Sequence, residues 1–184
     1  MDRSILLVED EDNDVLLMRV ALQKAGIHNP LHVAANGRAA MDYLRRACER
    51  PADASSPLPY LIFLDLKLPY VTGLEILKWI RQQPSLLSVI VVILTASKAE
   101  SDLAAAYKAG ANAYLVKPAQ LADLHAMTQA VKQFWFNHNQ SPQHSISIPG
   151  AAAPDRSESL PRLPNIRVLG PLPHRRKVPP AAES

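Results

Sequence analysis

Five polar residues stand at the ends of short apolar runs. Glu9 and Asp10 follow Ile5-Leu6-Leu7-Val8, Asp65 follows Tyr60-Leu61-Ile62-Phe63-Leu64, Thr95 follows Ser88 to Leu94, and Lys117 follows Ala113-Tyr114-Leu115-Val116. If those runs are neighbouring strands, three carboxylates, a hydroxyl and an ammonium meet in one place. Three carboxylates held together repel one another, and keeping all of them ionised near neutral pH needs a cation. Their hard oxygens suit Mg²⁺, which takes one or two carboxylates plus waters and substrate phosphate. With the charge screened, one carboxylate can act as a nucleophile toward phosphorus. Lys117 is a compact cation able to neutralise a phosphoryl oxygen, and the Thr95 hydroxyl can donate to another. Taken singly, each residue has a plainer explanation, since Asp is a common turn residue and an acidic run often only caps a helix. Only their joint placement at four strand ends carries the chemistry.

The elements that must position them are legible from periodicity. Tyr60 to Leu64 is bounded by Pro57 and Pro59 on one side and Pro69 on the other, which suits a strand buried on both faces of a parallel sheet. Ile5–Val8, Leu31–Ala34, Ser88–Leu94 and Ala113–Val116 read as four more strands. Between them lie five helices. The first is capped by Asp12 or Asn13, carries Val15, Leu16, Val20 and Ala21 at helical spacing, and closes at Gly26. The second follows Asn36-Gly37 with Ala40, Met41, Leu44 and Cys48 on one side, until Pro51. The third opens at Thr72 or Gly73, carries Leu74, Leu77 and Ile80, and ends before Pro84. The fourth spans Ser97 to Ala109 with Leu103 and Tyr107 on one face, and the fifth is marked by Leu121, Leu124, Met127, Val131 and Phe134. Strands alternating with helices require parallel pairing and right-handed crossovers. The expected fold is therefore α/β, a flavodoxin-like (βα)5 doubly wound parallel sheet of strand order 2-1-3-4-5. In that order strands 1 and 3 are neighbours, which brings Glu9 and Asp10 beside Asp65.

Composition divides the chain. Residues 1–140 carry 14 Lys+Arg and 14 Asp+Glu of the 20 and 17 in the whole, so the net charge of +3 belongs to residues 141–184, with 6 and 3. That stretch holds nine prolines in 44 residues without sustained periodicity, and reads as a flexible, Pro-rich, basic tail after a domain of residues 1–140. Its cluster His174-Arg175-Arg176-Lys177 reads as solubilising rather than as a nucleic-acid contact. The lone Cys48 suits a small core position, the six histidines show no metal-ligand spacing, and no run is long enough to span a bilayer. A cytoplasmic protein is expected.

From about Arg3 to Phe136 the chain resembles the receiver domain of two-component response regulators. The residues that carry the likeness are Leu6-Leu7-Val8-Glu9-Asp10, Phe63-Leu64-Asp65-Leu66-Lys67-Leu68-Pro69, Leu94-Thr95-Ala96 and Tyr114-Leu115-Val116-Lys117-Pro118. The resemblance implies that Asp65 accepts a phosphoryl group from a histidine kinase, and that Asp10, Asp65 and the Lys67 backbone carbonyl coordinate Mg²⁺, with Glu9 helping through water. It implies that Thr95 and Lys117 bind the phosphoryl group, that the bond before Pro118 is cis, and that Tyr114 and Thr95 report phosphorylation to the face of helix 4, strand 5 and helix 5. The Pro51–Pro59 insertion, Thr95–Glu100 and Gln133-Phe134-Trp135-Phe136 look like the small single-domain regulators that serve phytochrome-type kinases, although those often carry Ser where this chain has Pro118. Phe134, Trp135 and Phe136 are denser than one core-facing stripe can use, and part of that surface is expected to meet a partner or a second copy.

The leading expectation is a stand-alone phosphoacceptor, not a turnover enzyme, that signals through changed protein contacts. A DNA-binding or adaptor regulator working through the basic tail is the alternative. An Asp-nucleophile phosphatase needs a second Asp two residues after the nucleophile, where this chain has Lys67.

Overall fold

A computed structural model describes residues 3–50 and 55–140; the basic tail and the start of the Pro51–Pro59 loop lie outside the described residues. Five strands, β1 (Ile5–Val8), β2 (Leu31–Ala34), β3 (Leu61–Leu64), β4 (Ile90–Thr95) and β5 (Ala113–Val116), form one sheet in the order β2-β1-β3-β4-β5, every pair parallel. Five helices alternate with them: α1 (Asp12–Lys24), α2 (Gly37–Glu49), α3 (Gly73–Ile80), α4 (Glu100–Lys108) and α5 (Leu121–Val131). This is the flavodoxin-like order expected.

The period of two along each strand sends alternate residues to opposite faces. Ile5, Leu7, Leu61, Phe63, Val92 and Leu94 pack with Met18, Ala21 and Leu22 of α1 and Leu124 and Val131 of α5. Leu6, Val8, Ile62, Leu64, Val91 and Ile93 face the other way, onto Ala40 and Leu44 of α2, Ile76, Leu77 and Ile80 of α3, and Ala106 of α4. All four residues of β3 are 0% exposed, so this strand has no wet face. Each such side chain contributes about 1.5–3 kcal/mol relative to exposure, which anchors β3 at the centre of the sheet.

Several local expectations are corrected. The residue at the start of α1 is Glu11, without a side-chain cap, rather than Asp12 or Asn13. The buried stripe of α1 runs through Met18, Ala21 and Leu22, and Leu16 is 60% exposed; the spacing Val15-Leu16-Val20 straddled two faces of the helix. Gly26, at φ +69°, ends it in the left-handed conformation a helix C-terminus favours. Helix α4 starts at Glu100 rather than Ser97, and Leu103 and Tyr107 lie on its exposed side. The small Ala106 is what lies against the core, because alanine lets the helix approach closely. The bond before Pro118 is trans, like every described peptide bond. Trans is the lower-energy isomer by about 0.5–1 kcal/mol even before proline, and in it the Lys117 N–H still reaches the Thr95 carbonyl at 2.8 Å.

Beyond Val131 the last helix widens into π-type turns over Lys132–His138. Trp135 and Phe136 pack against the α1/α5 side of the core, and the Tyr60 ring lies tilted against that of Phe136 with centroids 5.4 Å apart. Phe134 is left 57% exposed, edge-on to Trp135. Core packing thus accounts for two of these three aromatics.

Candidate functional site

Strand register builds the site. Val8 is paired with Leu64, Leu64 with Ile93 and Thr95 with Val116, so the residues that follow β1, β3 and β5 emerge at one edge beside Thr95. The Asp65 N–H continues the ladder to the Val8 carbonyl at 3.1 Å, and the Glu9 N–H donates to the Ala34 carbonyl at 3.0 Å. Backbone hydrogen bonds, rather than side-chain choice, therefore hold Glu9 and Asp65 side by side. Just beyond, Thr72 and Glu75 form a reciprocal capping box that starts α3, and the Gly73 N–H donates to the Leu66 carbonyl at 3.1 Å, closing the loop after Asp65.

The Lys117 ammonium occupies the centre. Its Nζ lies 2.7 Å from Glu9 Oε2, 2.8 Å from Asp65 Oδ2 and 2.9 Å from Asp14 Oδ2. The other Asp65 oxygen accepts from the Lys67 N–H at 3.2 Å, so the carboxylate is held from both sides. Burial works to lower the pKa of Lys117, but hydrogen bonds from it to Asp65, Glu9 and Asp14 outweigh burial and raise the pKa above its ordinary value. Burial pushes the Glu9 carboxyl up, against the opposing pull of Lys117. The ammonium is fixed as a cation, and its hydrogen bond to Glu9 works against the burial that raises that carboxyl.

Glu9, Asp10 and Asp65 each present a carboxylate oxygen, all within 4.8 Å of one another. Hard oxygen donors this close suit a small divalent cation. Asp10 is exposed while Glu9 and Asp65 are buried, so a cation would be bound at the surface with room for water.

On the β4 side Thr95 is fully buried, and its Oγ1 accepts from the Ser97 N–H at 3.4 Å. Ser97 links three elements. Its Oγ donates to Asp102 at 2.6 Å and accepts from the Ala99 N–H at 3.3 Å, and its carbonyl accepts from the Tyr114 hydroxyl at 3.1 Å. Burial raises the Tyr114 pKa. Tyr114 and Thr95 are thus connected through Ser97 rather than directly.

All the residues expected at the site are brought together: Glu9, Asp10, Asp65, Lys67, Thr95 and Lys117, with Tyr114 two hydrogen bonds out from Thr95 through Ser97. Asp14, Ser97 and Asp102 were not foreseen. Asp14 lies in the first turn of α1, and no local spacing points it at Lys117; Ser97 follows Thr95 by two, the spacing of a local hydroxyl turn.

Comparison with known proteins follows the same line. The family model of the response regulator receiver domain matches residues 5–129. Response regulator Rcp1 of Synechocystis sp. is 41% identical over 147 residues, 80% of this chain and 93% of that protein. The crystal structure of its Mn²⁺-bound form superposes with a TM-score of 0.67 at 39% identity, over 76% of this chain and 99% of that one. The probable methanogenesis regulatory protein FilR2 of Methanothrix harundinacea is 36% identical over 138 residues, 75% of this chain and 86% of that protein. The phosphorylated cyanobacterial phytochrome response regulator RcpA matches with a TM-score of 0.69 and 34% identity, covering 77% of this chain and 99% of that one. Among the described residues no helix is long and apolar enough to cross a membrane.

Proposed function

The chain belongs to the response regulator receiver domain family, whose members take a phosphoryl group on an aspartate, and we propose that the aspartate here is Asp65. The observation that carries this reading is the seating of one strand-end carboxylate between the Lys67 N–H at 3.2 Å and the Lys117 ammonium at 2.8 Å, next to buried Thr95. An Asp65 oxygen forms the bond to phosphorus as the phosphohistidine P–N bond breaks, the imidazole nitrogen keeping the electron pair. Lys117 then pairs with one phosphoryl oxygen and the Thr95 hydroxyl donates to another. Water later hydrolyses the acyl phosphate and returns the carboxylate.

Asp10 and Asp65 are the residues that would hold Mg²⁺, with the Lys67 carbonyl as a further ligand and Glu9 acting through water; the ion, when bound, neutralises charge on the phosphoryl oxygens. Thr95 and Tyr114, joined through Ser97, form the switch, since turning Thr95 toward a phosphoryl group breaks the bond it accepts from Ser97.

The donor is a histidine kinase in the cytoplasm, and the likeness to RcpA, a phytochrome response regulator, supports a kinase of phytochrome type. Output then runs through altered protein contacts. Exposed Leu103, Tyr107 and Val116 support a homodimer across α4, β5 and α5, which sedimentation with and without a phosphoryl mimic tests. Residues 1–140 form the receiver domain in this reading, and the basic residues after 140 do not bind nucleic acid.

The test is mass spectrometry after incubation with acetyl phosphate and Mg²⁺. Wild type gains one hydroxylamine-labile phosphoryl group and Asp65→Asn gains none. Unchanged labelling of Asp65→Asn would sink the assignment.

A further inference from the structure

Lys117 makes one contact more than a carboxylate site for a cation and a phosphoryl group requires. Of the three carboxylates around its Nζ, Glu9 and Asp65 belong to the cluster suited to a divalent cation, and Asp14 does not. Asp14 comes instead from the first turn of α1, and its side chain is 40% exposed where those of Glu9 and Asp65 are 2% and 8%. We propose that Asp14 is a positioning residue that competes with the phosphoryl group for the Lys117 ammonium.

This role for Asp14 rests on Asp65 being the phosphoacceptor. An ammonium has three N–H bonds, and here each has a carboxylate partner within 2.9 Å. To reach a phosphoryl oxygen on Asp65, Lys117 must release one of them. Releasing Glu9 strands a buried carboxylate, which is costly. Releasing Asp14 returns a half-wet carboxylate to water, which is cheap because exposed ion pairs are weak. Of the two carboxylates that do not carry the phosphoryl group, Asp14 is therefore the one released, and the strength of its pair with Lys117 helps to set how readily the ammonium turns to the phosphoryl group. Before phosphorylation the same pair holds Lys117 over the site.

The experiment measures the affinity of full-length protein for beryllofluoride, a phosphoryl stand-in on carboxylates, by calorimetry at saturating Mg²⁺. Asp14→Asn is expected to bind about two- to five-fold tighter than wild type, the range that a weak, partly exposed ion pair allows. Asp14→Glu keeps the carboxylate and is expected to restore affinity toward wild type. Asp12→Asn removes a charge from the same turn that forms no described ion pair with Lys117, and is expected to change affinity less than Asp14→Asn. Equal tightening by Asp12→Asn and Asp14→Asn overturns the proposal in favour of a diffuse field effect. Wild-type affinity in Asp14→Asn overturns it while leaving the Asp65 assignment intact. Absence of beryllofluoride binding to wild type overturns the Asp65 assignment and this inference with it.

Discussion

Gly73 lies so near Asp65 that a Cβ on it would stand 1.9 Å from the Asp65 carbonyl oxygen. The contact is backbone to backbone, so no side-chain rotation relieves it. It packs the start of α3 directly on the loop that carries the candidate nucleophile.

Gly73→Ala should therefore move the Asp65 loop as well as destabilise the fold. Overpacking of this kind costs about 1–3 kcal/mol, read as a lower urea midpoint at unchanged slope. Labelling by acetyl phosphate should fall together with it. A variant with wild-type midpoint and wild-type labelling would show that the loop yields freely.

Arg81, just after α3, ties the other end of the sheet. Its guanidinium donates to the Gly110 carbonyl at 2.8 Å, the Val89 carbonyl at 3.0 Å and Asn112 Oδ1 at 2.7 Å, while Asn112 Oδ1 also accepts from the Val91 N–H at 2.8 Å. One side chain thus serves the approaches to β4 and β5, the strands that end in Thr95 and Lys117. Arg81→Met keeps most of the volume and removes the donors, so the carbonyls lose their partners at about 1–3 kcal/mol. Hydrogen exchange should quicken first in β4 and β5. Uniform exchange at the wild-type rate would contradict this role.

The architecture was legible because most strands are uninterrupted apolar runs, β2 with its His32 being the exception, and several helices begin or end on a recognisable residue, such as Asn36 or Gly26. The site was legible because strand ends converge by topology, so Glu9, Asp65, Thr95 and Lys117 needed only the strand order. What sequence did not disclose depends on rotation and side-chain reach. Which face of α1 is buried separates Leu16 from Met18, which lie only two positions apart. Asp14 meets Lys117 across 103 residues of chain, a contact that no local pattern encodes. Trp135 and Phe136 both turn toward the core because the helix widens after Val131, which a 3.6-residue period does not anticipate.

Lys117→Met should convert metal binding into a folding requirement. Without the ammonium, Glu9 remains 2% exposed with no described cationic partner, and removing one partner of such a pair costs about 3 kcal/mol. Millimolar Mg²⁺ should then raise the melting temperature of the variant more than that of wild type, because ion binding adds stability to the folded state only. Equal Mg²⁺ shifts in the two proteins would mean that Lys117 and the cation do not share the same carboxylates.

His32 provides a pH signature separate from the site. It lies in β2 with its ring 5.3 Å from that of Tyr43, and burial lowers its pKa below the ordinary 6.5. Above that value the ring is neutral in both folded and unfolded chains, so it adds no pH dependence. As pH falls through 6.5 the unfolded chain takes up a proton that the folded chain resists, and stability declines until the lower folded-state pKa is passed. Wild type should thus lose more stability between about pH 7.5 and 5.5 than His32→Gln, measured by urea midpoints at each pH. Parallel losses in the two proteins would remove His32 as the source. A wild type that gains stability on acidification would reverse the sign of the argument altogether.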